Sequence, residues 1–128
     1  MLSLTKGGIT MATIKSYTNL QQSKKLAKVL PLESADMSWV SNGLGKPFAR
    51  TIPIKGDPEE LCACWSLAAL LSVLPAECEC MSLEHINYGN NYKEYFMHYI
   101  GGENTENYDN PVDACVAMIE GLHELNLL

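Results

Sequence analysis

The pattern of hydrophobic and polar positions along the chain predicts three helices separated by two β-hairpins. The first helix is expected at about residues 19–30, because leucine and alanine recur on one face and three lysines lie largely away from it. Thr18 can cap its N-terminus, Gln21 can complete a capping box, and Pro31 ends it.

Two segments predict hairpins, since each has a strand-like run on both sides of a turn. The first hairpin joins residues 35–40 to residues 47–54 through an Asn-Gly turn, in which both residues tolerate a positive φ. The second hairpin joins residues 79–88 to residues 92–100, and both of these segments are rich in aromatic and β-branched side chains.

The second helix has the clearest start signal in the chain. Asp57 can act as its cap and Pro58 suits the first helical position, so the helix is expected to run to about Leu74, before Pro75. It is apolar nearly all round, which indicates a central, buried helix. The third helix is expected to begin at Asn110.

This order predicts an α+β fold, helix-hairpin-helix-hairpin-helix, with a four-stranded, mainly antiparallel sheet packed on three helices. Residues 13–128 are expected to form a single domain, preceded by a flexible N-terminal arm at residues 1–12. Translation from Met1 and translation from Met11 are both compatible with this arrangement.

The chain also contains a possible internal repeat. Residues 26–39 align without gaps to residues 70–83, and seven of the fourteen positions are identical. Each copy contains the end of a helix, a proline and the start of a strand. Two explanations of the match are possible: a gene duplication, or two unrelated helix ends that have similar sequences.

Three stretches, "VLPLESADM", "CWSLAALLSVLP" and "NPVDACVAMIEGLHELNLL", resemble small uncharacterised proteins of gut bacteria of the Bacteroides group. Some of those proteins lie near mobile or phage-derived genes. The resemblance covers about residues 13–128 and implies a bacterial, cytosolic protein. It implies no activity and no functional residues.

Composition restricts the classes of function. The net charge is −6, which argues against direct nucleic-acid binding through a broad basic surface. The longest apolar run, residues 61–75, is shorter than the roughly 20 residues that a membrane-spanning helix needs, so no membrane contact is expected. Five cysteines, an odd number, and no visible secretion signal predict reduced thiols and a cytoplasmic location.

Four of the cysteines form two Cys-x-Cys pairs, Cys62 with Cys64 and Cys78 with Cys80. Structural zinc sites usually space their cysteines by two to four residues. On a helix, residues two apart point in different directions, so the first pair cannot converge on one ion. The sequence therefore predicts no metal and no cofactor, and cysteines that serve as small buried apolar residues.

"CACWS" resembles the active-site signature of papain-like proteases, and that resemblance makes Cys64 a candidate nucleophile with His85, His98 or His123 as the base. A helix that begins near Pro58 would place Cys64 in its second turn, where the helix dipole no longer assists a thiolate. The upstream glutamine of that family is absent, and its domains are much longer than this chain. Enzymatic activity is therefore not the favoured interpretation.

The second hairpin is expected to have two apolar faces. Pairing Tyr88 with Tyr92 places His85 opposite Tyr95, and His98 opposite Ser82. One face then carries Met81, Leu83, Tyr95, Met97 and Tyr99, and the other carries Ile86, Tyr88, Tyr92, Phe96 and Ile100, with Glu84 and Glu94 among them.

A two-layer fold hides only one face of a sheet, so the second face predicts a further burial partner. The favoured hypothesis is a non-enzymatic interaction domain that forms a homodimer through Ile86, Tyr88, Tyr92, Phe96 and Ile100, and an unknown protein partner is also compatible with this face. A small cysteine-dependent enzyme that uses Cys64 with a histidine is one alternative. An acidic, nucleic-acid-mimicking inhibitor of mobile-element origin is the other.

Overall fold

The computed structural model describes residues 15–41, 43, 45–51, 56–74, 81–99 and 104–128. Across these ranges the fold is α+β, with three α-helices and two small antiparallel sheets. The predicted arm at residues 1–12 lies outside the described residues. No helix in the described ranges is long and apolar enough to span a membrane.

The elements follow one another in the order helix, three strands, helix, two strands, helix. A short 3-10 turn at Leu32–Ser34 lies between the first helix and the first strand. The bounds are α1 Leu20–Leu26, β1 Met37–Val40, β2 Phe48–Arg50, β3 Glu60–Cys64, α2 Leu67–Val73, β4 Met81–Gly89, β5 Tyr92–Tyr99 and α3 Pro111–Glu124.

The strands form two separate sheets where the sequence predicts one sheet of four strands. One sheet has the order β2-β1-β3, and the other is the β4–β5 hairpin. Trp39 in the middle of β1 lies opposite Ala49 on one side and Cys62 on the other. Because β2 and β3 occupy both edges of β1, the second hairpin has no edge of β1 with which to pair.

The start of α2 differs from the prediction. Residues 60–64 form β3, and Ser66 caps α2 by accepting a hydrogen bond from the backbone N–H of Ala69. The carboxylate of Asp36 accepts hydrogen bonds from both the backbone N–H and the hydroxyl of Ser66. Asp57, the predicted cap, instead pairs with Arg50 of β2 and stabilises a turn. The predicted helix start at Pro58 is therefore wrong.

The cap of α1 lies one residue beyond its predicted position. Asn19 and Gln22 form the capping box, and the helix ends at Leu26. Thr18, the predicted cap, is fully buried, and its hydroxyl bonds to Ser23 at 2.7 Å and to the backbone N–H of Trp65 at 3.2 Å. Thr18 therefore joins α1 to the loop between β3 and α2.

The core is built around α3, whereas the sequence predicts α2 as the central helix. Only Ala69 and Leu70 are buried in α2. In α3 the buried residues are Val112, Ala114, Cys115, Val116, Met118, Ile119 and Leu122. Leu26 from α1, Trp65 from the loop before α2 and Met97 from β5 pack with them in a single hydrophobic cluster.

The register of the second hairpin agrees with most of the prediction. Ser82 lies opposite His98 and His85 lies opposite Tyr95, as expected. The expected pair at the turn is wrong, because Gly89 rather than Tyr88 lies opposite Tyr92. Tyr88 is the extra residue of a β-bulge, which leaves it without a partner in the ladder.

Of the matched positions that the structure describes in both copies of the possible repeat, two are alike, while residues 27–29 form a turn and residues 71–73 belong to α2. Met37 and Met81 are each the first residue of a strand, and Leu26 and Leu70 are each fully buried in a helix. These similarities agree with a duplication, which stays a hypothesis.

A polar cluster on α3 connects the segment before α1 to the last helix. Asp113 accepts hydrogen bonds from Lys15 at 2.6 Å and from Gln22 at 2.7 Å, and Asn110 donates to its other oxygen at 2.8 Å. Burial opposes ionisation of Asp113, but the bonds from Lys15, Asn110 and Gln22 outweigh it and hold the pKa of this carboxyl below its ordinary value of 3.8.

We expect Asp113 to make the protein less stable in acid. A carboxyl whose pKa is lower when folded stabilises the protein above its unfolded pKa, and this contribution is lost as the pH falls through the folded pKa. Asp113→Asn should therefore reduce the loss of stability between pH 5 and pH 2 in urea denaturation. Asp109→Asn, at an exposed position in the same segment, is the control. Equal pH profiles for both variants would refute this role.

Candidate functional site

The candidate site is the outer face of the β4–β5 hairpin, which the two strands present on the side away from α3. We define the outer face by its side chains, which are Ser82, Glu84, Ile86 and Tyr88 from β4 and Tyr92, Glu94, Phe96 and His98 from β5. Tyr88 is 54% exposed, Tyr92 48% and Ile86 38%, while Phe96 is half-buried. Ile100, the fifth predicted interface residue, lies outside the described residues.

The inner face of the same hairpin packs against the core. Met97 is buried at 1% exposure, and Met81, Leu83 and Tyr95 contact the cluster around α3. Side chains alternate between the two faces of a strand, so burial of these residues fixes which residues point outward. The division into two faces that the sequence predicts is therefore present in the structure.

Two tyrosines and a glutamate form a hydrogen-bonded group on the outer face. The Tyr92 hydroxyl donates to Glu94 Oε2 at 2.9 Å, and Asn107 Nδ2 donates to Glu94 Oε1 at 3.3 Å. The rings of Tyr88 and Tyr92 lie with their centroids 5.7 Å apart at an interplanar angle of 34°. The pKa of Glu94 is lowered by hydrogen bonds from the Tyr92 and Tyr88 hydroxyls.

The sequence does not predict this hydrogen-bonded group. The same bonds raise the pKa of Tyr92 and Tyr88, so at neutral pH the carboxylate is ionised and both phenols are protonated. The Glu94 carboxylate accepts hydrogen bonds from neutral groups of the same chain, which are the hydroxyls of Tyr88 and Tyr92 and the side-chain amide of Asn107. The bonds to this one carboxylate orient both tyrosine rings. The aromatic patch is therefore positioned before any partner binds.

The histidines of the hairpin do not meet. His98 lies 2.8 Å from Asn104 through Nδ1 and Oδ1, on the outer face. The His85 ring lies on the inner face, 6.1 Å from the Tyr95 ring. The odd and even positions of the two residues place them on opposite sides of the sheet.

The environment of Cys64 differs from that of an activated cysteine nucleophile. It ends β3 rather than lying in a helix, and its side chain is fully buried. Its sulfur lies 3.6 Å from Thr18 Oγ1 and donates to the Thr18 carbonyl at 3.5 Å. Burial raises the pKa of Cys64 more than hydrogen bonds to Thr18 and Ser23 lower it, so the neutral thiol is favoured.

A groove of about 250 Å³ lies between α1, the 3-10 turn and the sheet that contains β1. Half-buried Cys62 lines it, and burial raises the pKa of this thiol as well. Ser38 donates to Glu60 Oε1 at 2.6 Å at the same groove. The remaining lining is apolar, from Ala27, Leu32, Ala35, Met37 and Ala63.

Among the residues that the structure describes, no three His, Cys, Asp or Glu side chains are grouped closely enough to hold a metal ion. Cys78 and Cys80, the second Cys-x-Cys pair, lie outside those residues.

No family model, curated protein or solved structure matches the chain.

Proposed function

We propose that the chain is a non-enzymatic protein-interaction domain that self-associates through the outer face of the β4–β5 hairpin. The observation that supports it is the exposure of Ile86, Tyr88 and Tyr92 on one side of a sheet whose other side already packs on the core. Exposed clusters of large apolar and aromatic side chains are typical of binding surfaces.

The composition of the outer face also suits an interface. Tyrosine provides a large contact area at a low cost in side-chain entropy, and its hydroxyl provides a polar contact. Here the rings are held by bonds to Glu94, so little further ordering is required when a partner binds. Closed two-fold dimers are the most common homo-oligomers, and we propose a dimer of this kind.

A cytoplasmic location belongs to the same proposal. Its support is the set of free thiols at Cys62, Cys64 and Cys115, since disulfides rarely persist in the cytosol.

Light scattering at micromolar concentration tests the dimer. We expect a mass of about 28 kDa, twice the 14.1 kDa of one chain. Phe96→Glu should reduce the mass to that of the monomer, because it places a carboxylate in the middle of the outer face, where the dimer would have to bury its charge.

The other phenylalanine of the chain provides a matched control. Phe48 lies on β2 in the other sheet and is 50% exposed, so Phe48→Glu should leave the dimer intact. Thermal melts should show that both variants are folded. A wild-type chain that remains at 14 kDa at hundreds of micromolar would refute self-association.

A further inference from the structure

The hydroxyl donors of Tyr88 and Tyr92 are both used within the chain. The Tyr92 hydroxyl donates to Glu94 Oε2 at 2.9 Å, and the Tyr88 hydroxyl bonds to the same carboxylate. The side-chain amide of Asn107 donates to Glu94 Oε1 at 3.3 Å and also bonds to the Tyr88 hydroxyl. This group therefore offers a partner the remaining lone pairs of its oxygens and the exposed faces of its two rings.

The same group carries a negative charge that the described part of the chain does not neutralise. Glu94 has neutral donors, and it belongs to neither of the two ion pairs among the described residues. No side chain of the outer face, as defined above, is a lysine or an arginine. The hydrogen bond to Glu94 is the main cause of the raised pKa of Tyr92, and burial and the charges of Glu94 and Asp109 add to it. The group is therefore anionic as well as aromatic.

An anionic group that offers acceptors selects a partner group that is cationic and has donors alone. Lysine and arginine side chains meet both conditions. A cation is also attracted to the face of a tyrosine ring when it lies within about 6 Å of the ring centroid. The centroids of Tyr88 and Tyr92 are 5.7 Å apart. A group between two rings needs roughly 7 Å, twice the contact distance, so a cation reaches these rings from the solvent side.

Burial of the outer face in a dimer requires such a cation at Glu94. Contact with a second copy removes water from the carboxylate, and a buried charge without an opposite charge is costly. Glu94 is already partly buried, whereas Glu84, the other carboxylate of the face, is exposed and accepts a hydrogen bond from Ser82 at 2.6 Å. The opposite charge is therefore needed at Glu94 more than at Glu84.

We infer that Glu94 and the rings of Tyr88 and Tyr92 bind the ammonium group of a lysine from the second copy in the proposed dimer. This inference rests on the proposed self-association and names the contact that balances its charge. Two-fold symmetry gives each dimer two such contacts, one at each Glu94.

The cation is a lysine because the single arginine of the chain is already engaged. Arg50 forms an ion pair with Asp57 of its own chain, and Lys15 forms one with Asp113. The described lysines that are exposed and belong to neither ion pair are Lys24, Lys25, Lys28, Lys46 and Lys93.

Two matched glutamine variants test the contact by the direction of their effects on the dimer dissociation constant. Glu94→Gln keeps an acceptor for the tyrosines but removes the charge, and it should raise the dissociation constant about 10-fold or more in a light-scattering dilution series. Glu84→Gln, on the same face, should leave it unchanged or lower it. Without a cation at Glu94, loss of the charge would strengthen the dimer, so an unchanged or lower dissociation constant for Glu94→Gln would overturn the inference.

Salt dependence separates a charge contact from an effect on ring orientation alone. Raising NaCl from about 50 mM to about 500 mM screens attraction between opposite charges. The advantage of the wild-type dimer over Glu94→Gln should therefore shrink as the salt concentration rises. An advantage that is equal at both salt concentrations would show that Glu94 acts through ring orientation, and would refute the lysine contact.

Carbodiimide cross-linking identifies the lysine. This reagent joins a carboxylate to an amine in contact with it through an amide bond, with loss of water. In dimers mixed from unlabelled and nitrogen-15-labelled chains, mass spectrometry should detect peptides that join Glu94 of one isotope to a lysine of the other. Replacing that lysine with glutamine should weaken the dimer as Glu94→Gln does.

The outcomes distinguish this inference from the proposed function. A dimer in which Glu94 forms no cross-link to a lysine of the other copy would overturn the lysine contact and leave the proposed self-association intact. A chain that is monomeric at all concentrations would overturn both.

Discussion

Leu70→Ala is expected to lower the free energy of unfolding by about 2–5 kcal/mol. Leu70 lies in the middle of α2, is fully buried, and belongs to the cluster around α3. Truncation removes apolar contacts and leaves a cavity between α2 and α3, because packed helices relax only partly around a lost side chain.

The next residue provides the control. Leu71 is on the same helix and is 41% exposed, so Leu71→Ala makes the same chemical change on the solvent side and should cost less than about 1 kcal/mol. Urea denaturation followed by circular dichroism, with equal denaturant slopes for the two variants, measures the difference. Similar losses for both variants would show that α2 does not pack on α3 through Leu70.

The cysteines should differ strongly in their reaction with iodoacetamide at neutral pH. Burial raises the pKa of Cys115 from 9.0 to about 12, which lowers its thiolate fraction about 1000-fold. Cys64 is fully buried and Cys62 is half-buried, so we expect Cys62 to be modified first and Cys64 and Cys115 only after unfolding.

Peptide mass spectrometry measures each cysteine separately, and urea-unfolded protein provides the control in which all of them react. Rapid, stoichiometric modification of Cys64 in the folded protein would contradict its burial. That result would favour the alternative hypothesis of a cysteine-dependent enzyme.

The candidate site could be predicted well from the sequence because it depends on local rules. In a hairpin, a short turn sets the register, and alternation then assigns every side chain to one face. The positions of Ile86, Tyr92 and Phe96 on the face opposite Met97 follow from these rules. The bulge at Tyr88 does not, since one inserted residue changes the pairing near the turn without changing the hydrophobic pattern.

The hydrogen-bonded group at Glu94 also required the tertiary structure. One of its donors, Asn107, lies thirteen residues further along the chain, in a segment rich in polar residues. The backbone hydrogen bonds between residues 105–108 and β5 also depend on the tertiary structure. Nothing in the local pattern of that loop shows which strand it contacts.

By itself the sequence determined the α+β class, the two faces of the second hairpin and the start of α3 at Asn110, because each follows from periodicity or from a local cap. Only the tertiary structure decided how residues 60–74 are divided between β3 and α2. The hydrophobic pattern of a short apolar run is equally compatible with a buried strand and a buried helix. The free edge of β1 makes residues 60–64 a strand, and Asp36, thirty residues before Ser66, holds Ser66 as the cap of α2. These long-range contacts outweighed the local signal at Pro58, and they made α3 rather than α2 the centre of the core.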